Sequence, residues 1–73
     1  MPGMIRVTGA QYAGCSVAEA LRRLSASDPQ CAAITQKAYF VLLNGKQIQA
    51  AEYENVTVKA EDVIMVVSLI AGG

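Results

Sequence analysis

The nine residues SVAEALRRL, 16–24, constrain this chain more than any other stretch. Ser16 followed three positions later by Glu19 is a capping box: the hydroxyl accepts from the third backbone N–H and the carboxylate reaches back. Behind that start, Val17, Ala20, Leu21 and Leu24 recur at helical spacing, while Arg22 and Arg23 face elsewhere. The pattern predicts a helix near 17–27 with one apolar stripe. Pro29 disfavours helical geometry at Asp28 and stops it there. One stripe needs one sheet face to bury it, and 73 residues leave room for a single domain, 1–73.

The sheet has to come from short pieces. MIRVT alternates and is rich in strand formers, so residues 4–8 read as a strand. Gly9 can turn the chain, and QYA can return as a short second strand before Gly14. Tyr39–Leu43 is an apolar run followed by Asn44-Gly45, a pair suited to a type I′ hairpin turn, with Lys46–Ile48 returning. The segment AAEYEN is polar and irregular, VTV is a scrap of strand, KAED is a turn, and Val63–Leu69 is the final strand. Residues 28–38 are the least legible: Asp28 and Pro29 can start a second short helix, or the segment is loop. The sum is an α+β two-layer domain.

Several chemistries are excluded by what the sequence lacks. There is no histidine, so no Ser-His or Cys-His nucleophile pair can form. Two cysteines 16 positions apart make neither a C-x-x-C pair nor a tetrahedral metal set, so no metal site is expected. The helix is not opened by a glycine-rich phosphate loop. Cys15, just before the helix cap, has two readings, a thiolate favoured by the helix dipole or a small half-buried filler. Glu52 and Glu54 read as a solvated acidic edge. Six basic and six acidic residues give no net charge and no Lys/Arg stripe, so nucleic acid is not an expected partner. The longest apolar runs, AYFVLL and VIMVV, fall far short of the roughly 20 residues of a membrane helix. With no signal peptide in the N-terminal stretch, the expected location is the cytoplasm.

The chain closes with VIMVVSLIAGG. Strand alternation puts Ile64, Val66 and Ser68 on one face and Met65, Val67 and Leu69 on the other, both sets mainly apolar. A single helix covers only one of them. The second is then either capped by loops or an exposed apolar patch that marks a partner-binding surface. The terminal Gly72-Gly73 has no side chains, so it can pass a narrow channel and bring a carboxylate to another group. A carboxylate can attack the α-phosphate of ATP, given Mg²⁺ and cationic groups in an enclosed site, which a partner would have to supply.

These residues resemble the ubiquitin-like β-grasp sulfur carriers, the ThiS and MoaD group. The resemblance lies in the element order, in VLLNGK after the helix, and in EDVIMVVSLIAGG, whose IAGG is similar to the thiamine carriers. The acidic turn of the group usually contains a glycine; here it is KAED. The resemblance implies a β-grasp fold, with a mixed sheet of four to five strands on one main helix and a flexible Gly-Gly tail. It implies a carrier in thiamine (thiazole) biosynthesis rather than an enzyme. Gly73 would be the covalent site, adenylated and then converted to a thiocarboxylate, with Gly72 and Ala71 as its slender tail. Met65, Val67 and Leu69 would face the partner. The carrier itself would bind no cofactor; Mg-ATP would be used by a ubiquitin-activation-like adenylyltransferase, and a sulfur donor protein and a thiazole synthase would follow. The alternatives are a molybdopterin-branch carrier, a ubiquitin-like modifier conjugated to lysines, and an interaction module with frayed glycines.

Overall fold

The computed structural model describes residues 3–69. Strand β1 is Met4–Thr8, and a 3₁₀ turn follows at Gly9–Tyr12. Helices α1 (Val17–Ser27) and α2 (Pro29–Thr35) come next, then strands β2 (Tyr39–Leu43) and β3 (Lys46–Ile48). A second 3₁₀ turn at Ala50–Glu52 and an irregular stretch lead to β4, Val63–Ser68. The four strands form one sheet in the order β1-β4-β2-β3, so the last strand is central.

Helix α1 starts as its sequence dictates, with the Ser16 hydroxyl accepting from the Glu19 N–H at 3.1 Å. The other half of the expected capping box is absent. Glu19 turns its carboxylate to Arg22 and, at 3.0 Å, to Arg23. Two guanidinium groups one turn on outcompete a single backbone N–H for a carboxylate. They also hold the Glu19 carboxyl below its usual range, the hydrogen bond from Arg22 contributing most.

Asp28 resolves the stretch the sequence left open. Its N–H closes α1 on the Leu24 carbonyl at 2.8 Å, and its side chain opens α2 by accepting from the Gln30 N–H at 2.9 Å. With Pro29 in the first position, whose missing N–H costs nothing there, a helix of seven residues follows. It is held by burial: Cys31 is fully enclosed and Ile34 nearly so. The fold therefore has two helices where one main helix was expected.

Two further expectations are corrected. QYA is not a return strand; Gln11 and Tyr12 belong to the 3₁₀ turn, which sinks the Tyr12 ring into the core, and Ala13 follows it. Nor is the sheet mixed: β1–β4, β4–β2 and β2–β3 are all antiparallel. The two differences have one cause. Helix α1 begins beside residues 53–58, where the Val17 N–H meets the Val56 carbonyl and the Val58 N–H meets the Cys15 carbonyl. Without a return strand, β1 must itself end near that point, and only a direction opposite to β4 achieves this. Gly9 makes the delivery possible, since its N–H donates to the Asp62 carbonyl at 2.7 Å. A Cβ there would press on the Lys59 carbonyl and lie 2.8 Å from Val58 Cγ1.

One cluster forms the core. Ile5, Val41, Ile48, Ile64 and Val66 come from one face of the sheet, Val17, Ala20, Leu21 and Leu24 from α1, and Cys31 and Ile34 from α2. Tyr12 and Val58 close its end. Burial pushes the Cys31 thiol up, with the Ser25 hydroxyl 3.5 Å away partly opposing it. Cys15 is half-buried, its backbone bonded to Tyr12 and Val58.

Candidate functional site

The site begins with how β4 is seated. Its register with β1 runs from Met4↔Val67 to Thr8↔Val63, and with β2 from Tyr39↔Ser68 to Leu43↔Ile64. Bonded pairs recur at every second residue of an antiparallel ladder. The Ser68 N–H bonds the Gly3 carbonyl and the Gly9 N–H bonds that of Asp62, so the even-numbered positions of β4 bond to β1. The Asn44–Val63 and Leu69–Ala38 bonds, 2.8 and 3.0 Å, give the odd-numbered positions to β2.

A polar clamp fixes where β4 enters. Asn44 and Gly45 have φ of 55° and 83°, the left-handed pair of a type I′ turn. That geometry aims the Asn44 side chain at the start of β4, where its oxygen accepts from the Val63 N–H at 2.9 Å. Its amide nitrogen donates to Asp62 Oδ1, also at 2.9 Å, and Asp62 Oδ2 accepts from the Lys59 N–H at 2.9 Å. These bonds, that from Asn44 first, hold the Asp62 carboxyl below its usual range. The acidic turn is thus structural, as its sequence suggested; no spacing in the sequence announced that Asn44 would be its partner.

A carboxyl whose folded-state pKa is lowered stabilises the fold above its unfolded value, near 3.9 for aspartate, and loses that contribution as pH falls through the folded value. Thermal stability is therefore expected to fall between about pH 5 and about pH 2. Asp62→Asn, which cannot ionise, is expected to melt at a lower temperature at neutral pH and to show a shallower acid dependence. Circular dichroism melts across that range check both.

Beyond the clamp, β4 shows two different faces. Ile64 and Val66 are 1% and 0% exposed, packed under the helices. Met65 and Val67 lie on the opposite face, which neither helix covers, since the buried residues of both join the cluster beneath. There Met65 sits between Arg6 and Leu42, and Val67 between Met4 and Phe40. Leu69, just past the strand, is 59% exposed and Met4 45%. The structure thus places all three expected interface residues on the mainly apolar sheet face that the helices leave uncovered, with Met65 and Val67 half-buried and Leu69 exposed, beside Met4, Phe40 and Leu42. Alternation would have found these too, had the pairing of the strands been known. Glu52 and Glu54 are exposed, but in a turn rather than an extended edge. Ala71, Gly72 and Gly73 lie outside the described residues.

Residues 9–73 match the model of the ThiS family, and the chain belongs to that family. No curated protein and no solved structure matches it. The fold is accordingly of the α+β, β-grasp type, and the chain is a ubiquitin-like sulfur carrier of the ThiS/MoaD kind: a small carrier protein rather than an enzyme. Such carriers work with adenylyltransferase and sulfur-transfer partners. Among the described residues, no helix is long and apolar enough to cross a membrane.

Proposed function

We propose that this carrier serves the thiazole branch of thiamine biosynthesis in the cytoplasm, with the Gly73 carboxylate as its reactive group. A ubiquitin-activation-like adenylyltransferase binds Mg-ATP and the carrier together. One Gly73 carboxylate oxygen attacks the α-phosphorus, the bond to the β-phosphate oxygen breaks, and pyrophosphate leaves. The persulfide of a donor protein then adds to the acyl-adenylate carbonyl and AMP departs, giving an acyl disulfide; a thiol attacks the donor-side sulfur, forming a disulfide with it and releasing the thiocarboxylate. A thiazole synthase accepts that sulfur. The Mg²⁺ and the cationic groups that steady the phosphoryl charge belong to the partner.

The observation that carries this reading is the family match, which continues through the last residue, Gly73. The open face supports it. Met65, Val67 and Leu69 precede the tail in the chain by only a few residues, so a surface gripping them brings the terminus within reach of the same partner. Glycine at 72 and 73 and alanine at 71 keep the approach narrow. The test combines the carrier with adenylyltransferase, Mg-ATP and sulfur donor, then weighs the intact protein. Exchange of one C-terminal oxygen for sulfur supports the reading; chains joined through Gly73 to lysines indicate a protein modifier instead. Rescue of a thiamine-requiring host, but not of one lacking molybdopterin synthesis, decides the branch.

Val67→Asp tests the open face. A carboxylate amid Met4, Phe40 and Met65 leaves the core beneath untouched. It is expected to weaken binding to the adenylyltransferase at least about tenfold, the scale of one interface anchor. The folded spectrum should be kept, and titration calorimetry beside circular dichroism reads both quantities.

A further inference from the structure

The reading of the tail makes no use of β1, which lies outside the family match at residues 9–73. This strand is an edge of the sheet. Gly3, Ile5, Val7 and Gly9 turn their backbone groups to β4, so Met4, Arg6 and Thr8 turn theirs outward. These three residues are exposed; among the described residues the outward groups of Met4 and Arg6 and the N–H of Thr8 have no backbone partner, while the Thr8 carbonyl, at the N-cap of the 3₁₀ turn, accepts that turn's first bond. Edges of folded domains are usually blunted by proline, a bulge, several charges or a covering segment. Five residues of regular strand here carry one charge, Arg6, and no proline.

We propose that β1 pairs with β1 of a second copy of this chain, antiparallel about a two-fold axis, joining two sheets into one of eight strands. Self-pairing is favoured over capture of another protein by the edge itself. The chain has no net charge, so two copies meet without long-range repulsion. The outward groups recur on identical positions of both copies, as an isologous contact requires. A register centred on Arg6 would set like charges opposite each other and is disfavoured. Registers centred on Ile5 or on Val7 avoid this, matching Arg6 with Met4 or with Thr8 of the other copy and placing two apolar side chains on the axis. Either register uses the backbone N–H of Arg6. The paired edge is small, so the dimer is weak, with a Kd between about 10 µM and about 1 mM.

Sedimentation velocity across that concentration range is expected to show the mass rising from 7.7 kDa toward twice that value. Amide exchange at Met4, Arg6 and Thr8 slows in parallel. Arg6→Pro removes an outward donor while leaving the bonds to β4 intact, and is expected to remain monomeric throughout. Should its spectrum show loss of fold, the double variant Met4→Lys/Thr8→Lys serves instead: three cations on each edge repel in low salt without touching backbone or core. Gln47→Pro, on the opposite edge, should dimerise as the parent does. A parent that stays at 7.7 kDa at every concentration overturns the proposal. So does a dimer that survives both edge variants, or protection of the β1 amides only when a different protein is added.

Discussion

Deletion of Gly73 is expected to abolish carrier-dependent ATP–pyrophosphate exchange by the cognate adenylyltransferase. The proposed reaction uses a carboxylate at one position in space, so a chain one residue shorter would present its acid about 3.5 Å short of the α-phosphorus. Misplacement by a single ångström costs about a hundredfold in rate where catalysis rests on positioning, and this displacement is several times larger. Binding at the sheet face is expected to survive, because Met65, Val67 and Leu69 are unchanged, and the truncated chain should compete with the full-length carrier. Exchange lost with competition kept places the function in the terminal acid. Exchange that persists in the shortened chain would remove Gly73 from the chemistry.

The second large effect concerns stability. Ile64 is 1% exposed on the central strand, beneath both helices and one position from Met65, which faces the other way. Ile64→Ala is expected to cost about 2–5 kcal/mol, combining lost transfer energy with the cavity left behind. A domain of this length has a total stability of about 4–11 kcal/mol on the usual per-residue scale. The substitution therefore removes a large part of the margin, and a fall in Tm of about 8–40 °C is expected, at about 4–8 °C per kcal/mol for a domain of this size. A fall of only a few degrees would mean that the helices close over the gap. Taken with Val67→Asp, the comparison is sharp: of two side chains three positions apart on one strand, one is buried in the core and the other lies on the face proposed to meet the partner.

Much of this was legible from local pattern. Helix α1 was legible because Val17, Ala20, Leu21 and Leu24 repeat at its period, and the β2–β3 hairpin because Asn44-Gly45 tolerates the left-handed angles its turn requires. The two faces of β4 followed from alternation alone. What stayed hidden depended on residues distant in sequence. Whether Met65 and Val67 are covered is decided by α2, a seven-residue helix too short for periodicity to reveal, which joins α1 on the same face. The direction of β1 depends on where α1 must begin, a point set by contacts with residues 53–58. The bond between Asn44 and Asp62 spans 18 positions and exists only once the hairpin and the final turn are side by side. For the candidate site, the shared face of Met65, Val67 and Leu69 could be read from alternation, while their proposed role at a partner came from resemblance and that of Gly73 from the terminal glycines and the resemblance together.

The seating of β4 has a mechanical consequence. A partner that draws the terminus into a narrow channel pulls lengthwise on the strand behind it. Because β4 is stitched alternately to a neighbour on either side, that load falls in shear on both rows of stitches together, whereas an outermost strand would peel away one stitch at a time. The end of the chain can be tugged hard while the body that delivers it keeps its shape.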